Sequence, residues 1–321
     1  MSLTNSENAM SPKDSQRLAF TLTELFVTLS ILAIIMGILL PALQYVREIS
    51  RKVHCENNLH QVGIALANFA ARTNRFPEDA KLFRGPQSRF SHPVYGGPFA
   101  QLAFDLEVRY SIVQETVVYN NVLSGTPAVL QCPSGPPGLS YRWNFGLVHQ
   151  GARDASGRAT KDDFKGIIRR VPLSLSSVTD GLSNTTAFSE HPPGNELKSI
   201  NTSFVSSVDA FQIERFDSIC ESLHLNPRYL VPSTQGNWAS PNRTDIMYVH
   251  ERSPNSALWD CFLVSSLEHC FKITITARSL HDSIVHAAML DGSIRPISSQ
   301  IEPRLWSALG GINDSESFII Y

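Results

Sequence analysis

Glu24, the histidines and the five cysteines are the side chains of this sequence best equipped for chemistry. Five is odd, so Cys55, Cys132, Cys220, Cys261 and Cys270 cannot all pair within one chain. His281 with His286, or His250 beside Glu251, offers imidazole and carboxylate donors that suit zinc. Neither spacing places two ligands on one face of a helix or strand, so no metal site and no cofactor are expected. The sequence has no G-x-S-x-G elbow, H-E-x-x-H helix, C-x-x-C, G-x-G-x-x-G or phosphate loop, and the expectation is a protein that is not an enzyme. Tyr141, Trp143, Phe145 and Trp238 could stack on sugar faces, although aromatics in a domain of this size more often fill the core.

The elements that would position these groups begin with composition. The chain has 321 residues, 27 Lys plus Arg, 29 Asp plus Glu and a formal charge of −2. With no long basic run, binding to nucleic acid is not expected. An apolar fraction of 42% is enough to bury a core, whereas the charged fraction is only 17%. Part of that deficit is local. From Leu25 to Val46 no side chain is charged, over about 22 residues where about 20 suffice to cross a bilayer as a helix. A cleaved secretory signal is the rival reading, since Lys13 and Arg17 precede the run. Its apolar core is too long for one, and only Pro41-Ala42 resembles a cleavage site. Arg47, Arg51 and Lys52 follow the run, so the flanking charges leave the orientation open.

Beyond Pro41 the apolar residues Leu43, Val46, Ile49, Val53, Leu59, Val62, Leu66 and Phe69 recur mostly at helical steps among polar ones. One helix from about Thr21 to about Ala71 follows, on the order of 75 Å long, bent where Pro41 removes a backbone bond and stopped by Thr73 to Pro77. Its first half suits lipid or other apolar helices, and its second half suits a globular partner. Residues 76–321 read as an α+β head with turns at Gly135 to Gly138 and at Thr179 to Asn184. Near the end, Ile284 to Leu290, Asp291-Gly292 and Ser293 to Ile297 read as a hairpin, with Pro296 forcing the return strand to an edge. Glu302 to Gly310 reads as a short helix and Phe318 to Tyr321 as a last strand.

Arg17 to Leu25 (RLAFTLTEL), followed by the apolar run and Pro41, resembles the leader of type IV prepilins and type II secretion pseudopilins. That resemblance implies a leader over residues 1–19, removed by a prepilin peptidase between Ala19 and Phe20, and methylation of the new N-terminus. It assigns residues 20–75 to a transmembrane and amphipathic helix and gives Glu24 an assembly role against a neighbouring subunit's amine. Ala19 stands where the family usually has Gly. Thr21 to Glu24 is also a capping box, the plain structural reading of the same acid. His281, followed after nine residues by Asp291-Gly292, is similar to the signature of a large bacterial group of prepilin-like proteins that carry an unknown-function domain, also labelled extracellular solute-binding family ten. Cys55 to Leu59, Cys132-Pro133-Ser134, Thr179 to Thr185 and Leu305 to Gly310 fit the same group.

These resemblances imply a pilin-like α+β fold, a long N-terminal helix packed on a mainly antiparallel head, with residues 200–271 as a variable insertion. They also imply a Cys55–Cys132 disulfide in an external head, while among Cys220, Cys261 and Cys270 no pair can be chosen. His281 would bond backbone or a carboxylate near the hairpin and hold the Asp291-Gly292 turn. The functional expectation is a pseudopilin-like subunit in the inner membrane, its partners being the peptidase, other pilin or pseudopilin subunits and the bilayer, with the head periplasmic or extracellular. The alternative is a membrane-tethered head that binds an extracellular solute such as a glycan.

Overall fold

The uncharged stretch does form helix. In the computed structural model, which describes residues 21–79, 81–83, 94–108, 125–147, 166–168, 172–193, 202–206, 218, 238–239, 246–258, 260–264, 270–281 and 283–313, it lies within α1 (Leu22–Thr73), 52 residues that run on through Pro41. Thr21 and Glu24 close the capping box: the Thr21 N–H donates to Glu24 Oε2 at 2.9 Å, and the Glu24 N–H donates to Thr21 Oγ1 at 3.3 Å. At the other end, Asn74 takes φ +55° and donates its N–H to Ala70 O at 2.8 Å, a left-handed stop that its short polar side chain tolerates. The described residues fall into two units that divide after Ile49.

Burial along α1 starts later than its apolar spacing suggests. Leu43, Val46, Ile49 and Val53 are exposed, whereas Cys55, Leu59, Val62, Leu66 and Phe69 are buried. Helical periodicity marks a face, but only contact with the head decides where that face is covered.

The head is built on a five-stranded sheet in the order β10-β9-β4-β3-β6, formed by β3 (Tyr141–Asn144), β4 (Thr186–Glu190), β6 (Met247–Tyr248), β9 (Ile284–Met289) and β10 (Ile294–Ser298). Every neighbouring pair is antiparallel except β3 with β6. The fold is therefore α+β, one long N-terminal helix with a mostly antiparallel sheet. Pro296 lies on β10 at the sheet edge, where its missing N–H costs no ladder bond. β1 (Lys81–Phe83) pairs with β2 (Val94–Gly96), and β5 (Thr202–Ser206), β7 (Asp260–Val264) and β8 (Cys270–Thr274) form a three-stranded sheet. Residues 200–271 thus hold strands of their own and also supply β6 to the main sheet. Two short helices, α2 (Pro98–Gln101) and α3 (Pro303–Gly310), are the remaining α elements among the described residues, and α3 is the short C-terminal helix expected from Pro303 and Gly310. The strand expected at Phe318 to Tyr321 lies outside the described residues.

At the hairpin, Gly292 takes φ +85° and Asp291 Oδ1 accepts the Ser293 N–H at 2.9 Å. The turn packs against α1 so closely that a Cβ on Gly63 would lie 3.3 Å from the Gly292 Cα. The Asp291 N–H also donates to Leu182 O at 3.1 Å, which ties the turn to the loop that contains Gly181 (φ +94°). Tyr141, Trp143, Phe145 and Trp238 are all buried, so the aromatics offered as a sugar-stacking surface are core. Trp143 instead meets the Phe99 and Phe188 rings at centroid distances of 4.9 and 5.2 Å.

Candidate functional site

The first candidate is the apolar half of α1. Its large side chains are exposed from Leu22 to Val53, Ile34, Ile38 and Leu40 each by 60% or more. An apolar helix solvated on every side is costly in water and suits the hydrocarbon of a bilayer or a sheath of similar helices. The span's hydroxyls fit that medium too, because Thr28 Oγ1 donates to Leu25 O at 2.9 Å and Ser30 Oγ donates to Phe26 O at 2.8 Å. By length and composition α1 can cross a membrane once. Glu24 sits at its first turn in the capping box, whereas Ala19 and Phe20 lie outside the described residues.

The second candidate is inside the head, where α1 meets the sheet. Cys55 and Cys132 form a disulfide with Cα atoms 4.9 Å apart, the pair the resemblance implied. Cys220 lies outside the described residues, and Cys261 and Cys270 fall on β7 and β8. Tyr141 Oη donates to the Cys55 carbonyl at 3.1 Å, and Asn58 Nδ2 donates to Gln131 O at 2.7 Å, so both chains that carry the bridge are held in place. Against it stands Glu190, buried at the end of β4. Its Oε2 accepts the His286 N–H at 2.9 Å, and its Oε1 lies 3.2 Å from His286 Nδ1 and 3.6 Å from His281 Nε2. His281 Nε2 is also 3.9 Å from Cys132 Sγ. One donor atom from each of Cys55, Cys132, Glu190 and His281 falls within 4.8 Å of the others.

His281 meets a carboxylate, Glu190, from before β9, while Asp291-Gly292 follows that strand, and strand pairing and the Leu182 contact tie the turn. And His281 and His286, which cannot share a face of one element, do meet, with ring centroids 5.7 Å apart, because His281 approaches from a loop and His286 from β9. Glu190 was missed altogether. Its signal was a lone carboxylate ending a run from Leu182 that has no other charge.

Set beside known families, residues 44–304 match the one described as SBP_bac_10, Protein of unknown function (DUF1559). The chain belongs to that family. SBP_bac_10 is of the pilin-like type with the H-x9-DG signature, here His281 and Asp291-Gly292. No curated protein and no solved structure matches the chain. The SBP_bac_10 match takes in Cys55, Cys132, Glu190 and His281, and it begins inside the apolar helix, beyond Glu24 and Pro41.

The SBP_bac_10 head contains two more buried polar clusters. Asp260 accepts Arg278 Nη2 at 2.8 Å on Oδ1 and lies 3.0 Å from His191 Nε2 through Oδ2. Burial opposes the Asp260 charge, but the Arg278 guanidinium and His191 overcome it and hold the carboxyl well below the usual range. Burial and the Arg142 charge push the His191 pKa down to about 4 against the opposing pull of Asp260. In the other cluster His250 Nδ1 lies 2.6 Å from Trp306 O and Nε2 lies 3.0 Å from Thr186 Oγ1, with the ring stacked on Trp306 at 3.9 Å. Burial pushes the His250 pKa down to about 3, against the pull of the Trp306 carbonyl. Both clusters are sealed from solvent, which suits them to hold the head together.

Gly310 closes the second cluster: a Cβ there would lie 2.5 Å from His250 Cγ. Gly310→Ala is therefore expected to destabilise the head by about 3 kcal/mol, the upper end of ordinary overpacking, because neither His250 nor the stacked Trp306 has room to yield. Urea unfolding of the detergent-solubilised protein followed by Trp fluorescence measures it, and an unchanged midpoint would mean that this corner repacks freely.

Proposed function

We propose that this protein is a pilin-like structural subunit, made as a precursor, trimmed between Ala19 and Phe20 by a prepilin peptidase, and assembled through its apolar N-terminal helix into a pilus or a type II secretion pseudopilus. The observation that carries this reading is α1 itself: one unbroken helix whose side chains from Leu25 to Val46 are exposed and uncharged, and which from Cys55 onward buries one face, including Leu59, Val62, Leu66 and Phe69, in the head. The same segment serves first as a single-pass anchor in the inner membrane with the head outside, and then as the packing surface of a filament. A disulfide in the head fits an oxidising exterior. The role is non-enzymatic and needs no cofactor. The tethered solute-binding alternative loses its proposed stacking surface, since Tyr141, Trp143, Phe145 and Trp238 are core.

Glu24 has two uses on this reading. In the isolated chain it caps the helix through Thr21. In a filament the carboxylate would pair with the amine of a neighbouring Phe20, which offsets the cost of a charge beside lipid. Mass spectrometry of the membrane-extracted native protein should find a chain beginning at N-methylated Phe20, and Glu24→Ala should leave that cleavage intact while abolishing recovery in sheared filaments. A chain retaining residues 1–19, or Glu24→Ala filaments at native yield, would overturn the assembly role.

A further inference from the structure

The Cys55–Cys132 bond, His281 and Glu190 bring four donor atoms within 4.8 Å of one another. Two thiolates, an imidazole and a carboxylate are a set zinc takes readily, with bonds of about 2.0 to 2.3 Å that place ligand atoms about 3.3 to 3.8 Å apart. His281 Nε2 already stands 3.9 Å from Cys132 Sγ and 3.6 Å from Glu190 Oε1, and the latter separation is too long for a hydrogen bond. The donors come from four places in the sequence (α1, the turn after Gln131, β4 and the loop before β9), so the fold, and no local motif, assembles them. The carboxylate is aimed by its contacts with His286, and the Cys132 N–H donates to Ser140 Oγ at 2.9 Å, the kind of outer support that orients metal ligands. Cys132 is partly exposed, which gives both a reductant and an ion a way in.

We propose that Cys55, Cys132, His281 and Glu190 form a zinc site in the reduced protein, so that one locus is locked either by a disulfide or by a metal ion. A dithiol reductant supplies two electrons and two protons to the S–S bond and becomes a disulfide itself, leaving two thiols. Zinc binding then displaces both thiol protons to solvent. Before oxidation, or after reductive attack, the ion would fasten α1 to the head where the disulfide otherwise does.

The test uses the full-length protein in detergent, reduced with a dithiol, freed of it, and challenged with a thiol-alkylating reagent with and without one equivalent of Zn2+. Peptide mass spectrometry reads Cys55 and Cys132 separately from Cys220, Cys261 and Cys270. Zinc is expected to slow alkylation of both Cys55 and Cys132 at least tenfold, and Co2+ in its place to give the visible spectrum of a tetrahedral thiolate complex. His281→Gln, which leaves the oxidised disulfide able to form, is expected to remove most of the protection. Equal alkylation rates with and without zinc, whether because the site binds nothing or because the reduced head opens and zinc cannot reclose it, would overturn the proposal, as would undiminished protection in His281→Gln.

Discussion

Removing the Cys55–Cys132 bond by the double substitution Cys55→Ser, Cys132→Ser is expected to lower the stability of the head by about 4 kcal/mol in metal-free buffer. The bridge closes a sequence separation of 77 residues, and the loop-entropy relation gives a value between the roughly 3 kcal/mol of a short loop and the 4.7 of a hundred-residue one. The loss should also be local. Cys55 is the first buried residue of α1, and without the bridge the next ties are the Tyr141 contact to the Cys55 carbonyl and the Asn58 contact to Gln131. Amide exchange should therefore accelerate most around Cys55 to Val62, next to the bridge, and less around Leu66 to Ala70, farther along the helix toward its stop at Asn74. Urea unfolding and exchange mass spectrometry, both on the detergent-solubilised chain, measure the two effects. A loss below 1 kcal/mol would mean that packing alone fixes α1 to the sheet.

Local signals in the sequence carried far. The span was legible because charge is absent over a bilayer's length, the stop at Asn74 because the residues after Thr73 suit turns, and the β9–β10 hairpin because Asp291-Gly292 is a turn signal in two residues. Each of these depends on neighbours in the chain. The clusters of the head do not. Glu190 and His281 meet only after β4 and β9 pair, and Asp260 reaches Arg278 and His191 from a segment that looked like an insertion. Where burial begins along α1 was not legible for a related reason: Val53 and Leu59 fit one helical stripe equally well, and only the head distinguishes them. The His281 and His286 spacing was read as if both had to lie on one element, and a loop residue escapes that test.

Acid should unfold the head well before its surface carboxylates titrate. His250 is neutral in the folded protein, with its pKa pushed to about 3. In the unfolded chain it returns to about 6.5, so below that pH the unfolded state binds more protons and stability falls as pH falls. Above pH 6.5 the contribution is complete. Between about pH 6 and 4 this histidine removes up to about 1.4 kcal/mol per pH unit, on the order of 3 kcal/mol by pH 4. Asp260 adds to this only lower down, because its stabilisation is present above its unfolded value of 3.8 and is lost below it. Urea midpoints at pH 7, 5.5 and 4.5 should fall steeply, and His250→Gln, which keeps a polar side chain but cannot titrate, should reduce the slope by about one proton while lowering the stability at pH 7. A midpoint flat from pH 7 to 4.5, or a slope unchanged by His250→Gln, would show that the ring is protonated when folded, which the geometry argues against. Nδ1 donates to the Trp306 carbonyl, and Nε2 faces Thr186 Oγ1 and Tyr248 Oη, two hydroxyls that can donate to it. A sealed ring with one donor and one acceptor nitrogen satisfied has nothing to gain from a second proton, and that is why the head's tolerance of acid is set by its interior.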